Sequence, residues 1–160
     1  METVYLETTI ISYLASEPSR DLIVAGHQQI THEWWTQRRA LFACSISQEV
    51  LDEISRGDPA QVVRRLAVAR SLPKLPVEPT VSQLAAEFLR AGILPRNAAR
   101  DAVHLAVAAV ASVDYVLTWN CRHIANAELL KQLDRVCTRC GYQLPRVCTP
   151  EELMGDNANV

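Results

Sequence analysis

Glycine is scarce in this chain, five in 160 residues, and there is no Gly/Ser linker, low-complexity tract or internal repeat. These absences set aside solenoids and strings of domains and leave one globular unit. No run comes near the ~18 consecutive apolar residues that a bilayer span requires. Neither charge dominates: the formal net charge is −2, so bulk attraction to nucleic acid is excluded and any polyanion has to be met by a local patch. The sequence contains neither a GxxxxGK[ST] phosphate loop nor a GxSxG elbow, which argues against the phosphotransfer and hydrolase folds built on them. The five cysteines (Cys44, Cys121, Cys137, Cys140, Cys148) are odd in number. Several lie in apolar runs, and the lone CxxC at Cys137–Cys140 has no second pair for zinc, so reduced thiols are expected. METVYLETT enters a strand pattern without a basic leader region, and the expected location is the cytoplasm.

What is present is an alternation of short apolar strands and helical stretches. Val4–Leu6, Leu41–Ser45, Leu75–Val77, Tyr115–Thr118 and Arg146–Cys148 read as strands. Helices are expected from Thr8 to Leu14, over 19–39, from a Ser45 or Ser47 cap to Ile54, and after the Asp58 cap with Pro59 at the first position. Others are expected from Thr80 to near Gly92, from an Asn97 cap over Ala98–Ala111, and over His123–Val136, with a last turn at Pro150–Leu153. The pattern predicts an α/β fold with a central parallel sheet of about five short strands and helices on both faces. The domain is expected to span residues 1–154, with a short tail at 155–160. Ligands of such sheets bind outside the carboxyl ends of the strands.

Four polar residues fall at such places. Glu7 follows the first strand, where it can hold a metal or simply cap a helix. Glu53 shares a helix face with Glu49, one turn away, and Glu49 and Asp52 are read as solvated. Asp101 opens a helix otherwise made of Ala, Val, Leu and one His; it complements the helix dipole, and a carboxylate covered by neighbours is usually paired or metal-bound. Asn120 follows a strand, as a ligand or as a turn residue. His104, three residues beyond Asp101, is read as a satisfied core histidine, with a role beside Asp101 as the alternative. Arg96, Arg100 and Arg122 flank these positions and serve phosphate binding or solubility equally well. Trp34 and Trp35 suit a partner surface or core packing.

Taken together, YLETTIISYL, EISRG, RDAVHLAVA and LTWNCRHI resemble the motifs of the PIN-domain family, particularly the VapC-like toxins of bacterial toxin–antitoxin pairs, over Val4 to about Leu153. The resemblance implies a Mg²⁺- or Mn²⁺-dependent endoribonuclease with Glu7, Glu53 and Asp101 as metal ligands, Asn120 placing the metal or water, and Thr9 and Thr118 in support. It implies an RNA substrate, a homodimer and a small antitoxin partner. Three departures stand out. The first acid is Glu7 where relatives usually have Asp, the fourth position is the neutral Asn120, and a further acid is replaced by His123. They leave open a catalytically impaired PIN-fold protein acting as an RNA- or protein-binding module.

Overall fold

The computed structural model describes residues 1–155; of the tail expected at 155–160, all but Gly155 lies outside the described residues. Five parallel strands form one sheet: β1 (Thr3–Leu6), β2 (Ala43–Ser47), β3 (Lys74–Leu75), β4 (Tyr115–Leu117) and β5 (Arg146–Cys148). Among the described residues, seven helices connect and flank them: α1 (Thr8–Ala15), α2 (Leu22–Gln37), α3 (Gln48–Ile54), α4 (Pro59–Ala69), α5 (Pro79–Arg90), α6 (Ala99–Val110) and α7 (Ala127–Arg139). The strand order is β3-β2-β1-β4-β5. The chain therefore builds outward from β1 in one direction, then returns to build on its other side. The point where the order reverses lies between β1 and β4, and in open parallel sheets a crevice opens there at the carboxyl ends. Successive strand residues point to opposite faces. Val4, Tyr5 and Leu6 are all 0 % exposed, so both faces of the central strand are covered.

Several boundaries differ from the sequence reading, each for a local reason. α1 starts at Thr8 as read, and its cap is Glu7, whose carboxylate accepts from the Thr9 amide. β2 starts at Ala43, since Arg39–Leu41 closes as a 3-10 turn. β3 is shifted to Lys74–Leu75 by its pairing with Ile46 and Ser47. α6 begins after a 3-10 turn at Arg96–Ala98, with no side-chain cap from Asn97. α7 starts at Ala127 because Asn126 takes the amides of Glu128 and Leu129; His123 lies in the preceding turn. The Asp58 cap and Pro59 first position stand as read, and Gly57, at φ 94°, supplies the left-handed residue that ends the α3 segment.

The core is made by β1, β2 and β4 with α6, which is buried nearly all round, and with Phe88, Leu84 and Val81 of α5. Trp34 is fully buried and stacks on Phe42, with ring centroids 5.9 Å apart. Trp35 is half-buried beneath the Arg39 guanidinium. At the amino end of β1, the amide and hydroxyl of Thr3 both donate to Asp114 at 2.7 Å. No helix among the described residues is long and apolar enough to cross a membrane.

Phe88 is fully buried, so Phe88→Ala is expected to lower the unfolding free energy by about 3–5 kcal/mol. Val63, 68 % exposed, should tolerate alanine within about 0.5 kcal/mol. Urea titration followed by circular dichroism measures both, and equal midpoints for the two variants would contradict this core.

Candidate metal centre

Glu7 stands at the carboxyl end of β1, and the β1–β4 register fixes its neighbours. Leu6 pairs with Leu117, and the Glu7 amide donates to the Leu117 carbonyl at 3.0 Å. Thr118, the next residue, is thereby set beside the Glu7 side chain. One carboxylate oxygen, Oε2, accepts from the Thr118 hydroxyl at 2.7 Å, the Thr9 hydroxyl at 2.6 Å and the Thr9 amide at 3.1 Å. The other, Oε1, is left outside this set. Trp119 donates its amide to Thr9 Oγ1 at 2.9 Å, which fixes Thr9 in turn. Glu7 is 4 % exposed, and among the described residues it forms no ion pair. All its hydrogen-bond donors are neutral. A buried carboxylate is ordinarily paired with a cation or bound to a metal.

Glu53 projects from α3 toward the same place. Its Oε2 accepts from the Thr8 hydroxyl and lies 3.0 Å from His104 Nε2. His104 is 0 % exposed on α6, and its Nδ1 lies 2.7 Å from the Tyr5 hydroxyl, which is itself 2.7 Å from Ser47 Oγ. One ligand atom each from Glu7, Glu53 and His104 lie within 4.8 Å of one another. Three donors at that separation can converge on a single cation.

Asp101 stands outside that trio. Asn120 Nδ2 donates to its Oδ1 at 3.0 Å, and His123 Nδ1 lies 2.8 Å from its Oδ2. His123 gives this carboxylate a nitrogen partner. Asn120 also accepts from the His123 amide at 3.1 Å, and its own amide donates to Thr118 Oγ1 at 2.9 Å. Asp101, Asn120, Thr118 and Glu7 thus form one continuous hydrogen-bonded chain.

The remaining positions are distributed around this centre. Arg100 Nε approaches Glu49 Oε1 at 3.6 Å, so Glu49 is a half-buried partner of Arg100 and not a solvated residue; burial pushes its carboxyl up. Asp52 is exposed and bonded to Gln48. Arg96 and Arg122 are exposed. His104 is satisfied in the core, but its acidic partner is Glu53, with Asp101 paired to His123 instead. The i+3 spacing from Asp101 drew attention to His104; the Tyr5–Ser47 link had no signal in the sequence. A hollow of about 370 Å³ lined by Trp119, Cys121, Leu130 and Glu152 borders the Asn120 side. A slightly larger one, about 380 Å³, lies at the opposite end of the strands, between Glu2, Asp114 and Arg146, away from Glu7, Glu53 and Asp101.

Charge at the centre follows from these contacts. For Glu53, burial raises the carboxyl pKa, but the hydrogen bonds from His104 and Thr8 and the imidazole charge outweigh it, and the net direction is down. For His104, burial disfavours the cation, but the Glu53 hydrogen bond and the charges of Glu7, Glu53 and Glu49 carry its pKa up from 6.5. Burial drives the Tyr5 hydroxyl far above its ordinary range, so it remains a neutral phenol.

No family model matches the chain, and no curated protein matches it at a significant level.

The pair sets a pH dependence in metal-free protein. The raised His104 pKa adds stability that is full below 6.5 and is lost as pH rises through the folded value. The lowered Glu53 pKa adds stability that is full above 4.5 and is lost as pH falls through the folded value. In EDTA, thermal unfolding temperature is expected to decline above pH 6.5, with a shallower decline in Glu53→Gln. Parallel curves for the two proteins would show that the pair does not set the slope.

Proposed function

We propose that the protein is a metal-dependent endoribonuclease of the PIN class, acting as the toxin of a toxin–antitoxin pair. The observation that carries the reading is the Glu7 carboxylate, almost fully buried and held only by neutral donors, with Glu53 beside it. Two carboxylates with uncommitted oxygens, at the point where the strand order reverses, suit a hard divalent cation such as Mg²⁺ or Mn²⁺. The four motifs of the resemblance supply the substrate class.

Glu7 and Glu53 would hold the cation. Bound there, it supplies an acidified water and stabilises charge on the phosphoryl oxygens. The rest is the work of this chain's own side chains. Thr9 and Thr118 fix the orientation of Glu7, and Thr8 that of Glu53. Asn120 links Asp101 to Thr118 and keeps the two halves of the site in register. Asp101 orients the His123 ring through Nδ1, which leaves Nε2 free to take the proton of the attacking water and return it to the departing oxygen as the phosphorus–oxygen bond breaks. Arg96 and Arg122 are exposed and free to meet flanking phosphates, and Arg100 does so after exchanging its contact with Glu49. The antitoxin and a second copy of the chain are the partners this reading brings with it.

The engagement of both Asp101 oxygens by Asn120 and His123 favours a second reading, a PIN-fold protein that binds RNA or protein without cutting. One experiment separates the two. Purified protein is incubated with mixed RNA substrates in Mn²⁺ or in EDTA, beside Glu7→Gln and Asp101→Ala. Cleavage is expected in Mn²⁺ alone, reduced by about 100-fold or more in Glu7→Gln, the scale of loss from mispositioned reacting groups. Mn²⁺ binding with no cleavage by the native chain would favour the binding module, and unchanged cleavage by Asp101→Ala would remove that residue from the site.

A further inference from the structure

The hydrogen-bonded row Ser47, Tyr5, His104, Glu53 runs from the core into the metal centre, with separations of 2.7, 2.7 and 3.0 Å. Its ends differ in kind. Glu53 Oε2 is a carboxylate oxygen and only accepts, so without a cation His104 Nε2 carries the hydrogen between them. At the other end sit two hydroxyls, Tyr5 and Ser47, each able to donate or accept. If Nδ1 carries the imidazole hydrogen instead, it donates to Tyr5 Oη, and the Tyr5 hydrogen turns to Ser47 Oγ. No heavy atom moves, and whenever the ring is neutral it keeps one hydrogen in both arrangements. The second arrangement leaves Nε2 as a bare lone pair facing Glu53 Oε2 at 3.0 Å, in a group where ligand atoms of Glu7, Glu53 and His104 lie within 4.8 Å of one another. Two lone pairs so placed repel unless a cation stands between them. Metal-binding imidazoles ordinarily fix their tautomer in this way, by donating the other ring N–H to an outer partner.

We propose that His104 Nε2 is a direct metal ligand, and that the centre therefore selects a first-row transition ion over Mg²⁺. This rests on the metal site of the preceding reading and sharpens its choice of ion. Imidazole nitrogen binds first-row transition ions well, whereas Mg²⁺ takes oxygen ligands and retains several waters. Glu7 and His104 are buried at 4 % and 0 % exposure, so an ion held between them is bound by the side chains themselves, which Mg²⁺, reluctant to shed its waters, favours less. The Tyr5 hydroxyl is the positioning group: it sets the tautomer without touching the ion.

The test uses the full chain, stripped with chelator and loaded with Mn²⁺. Electron spin-echo modulation is expected to show directly bound ¹⁴N, replaced by the ¹⁵N pattern when histidine is labelled. By titration, His104→Gln is expected to weaken Mn²⁺ at least tenfold while Mg²⁺ affinity changes little. Tyr5→Phe, which keeps the ring in the core, should weaken Mn²⁺ by about 10–100-fold, as loss of an outer partner does, with the nitrogen signal retained at saturation. Bound Mn²⁺ without a nitrogen signal overturns the proposal, and so does an unchanged Mn²⁺/Mg²⁺ ratio in His104→Gln. The spectroscopy on the native chain decides the matter even if that variant fails to fold. A nitrogen signal in protein that cuts no RNA would sink the nuclease reading and leave this one standing; Mg²⁺-supported cleavage with no nitrogen signal would do the reverse.

Discussion

A single carboxylate, Glu7, is the constraint around which the rest of the centre is arranged. It caps α1, ends β1 and takes hydrogen bonds from both the helix it caps and the strand next door. The last of those contacts depends on the parallel pairing of β1 with β4. A slip of one residue would turn Thr118 away from Glu7, because successive strand residues face opposite sides. The burial of Glu7 also protects it from the screening that weakens exposed charges. The fold places this carboxylate at the carboxyl edge of the sheet, where the strand order reverses.

The centre has two halves with different chemistry. Glu7, Glu53 and His104 converge closely enough for one ion. Asp101, Asn120 and His123 form a second group that is internally satisfied. Thr118 belongs to both, since its hydroxyl donates to Glu7 and accepts from the Asn120 amide. Changes in one half are thereby felt in the other through a neutral hydroxyl, without direct charge repulsion between Asp101 and Glu7.

The α/β class and the five parallel strands were legible in the sequence, because strand and helix periods differ and the punctuation at Pro59, Gly57 and Gly92 is local. Glu7 at a strand end was legible for the same reason. What the sequence concealed depends on distance. The pairing of Glu53 with His104, rather than Asp101 with His104, follows from how α3 packs near α6, and no spacing within either helix specifies it. The Tyr5–Ser47 contact arises from the β1–β2 register, in which Tyr5 stands opposite Ser45. Glu49 looked solvated because its partner, Arg100, lies on another helix. His123 looked like the start of a helix, whereas the Asn126 cap sets the start four residues on and leaves the imidazole in a turn beside Asp101.

The Thr118–Glu7 hydrogen bond spans 111 residues of chain, as does the Thr3–Asp114 contact at the other end of β1. Central parallel pairing of this range forms late, because the loop must close before its contacts form. During synthesis, a nascent chain carrying Glu7, Glu53 and even Asp101 still lacks β4. Its first carboxylate then has neither a fixed orientation nor a dry surrounding. The centre therefore stays incomplete until the residues around Thr118 have emerged from the ribosome, and the molecule's own topology ties assembly of the site to the docking of β4 against β1.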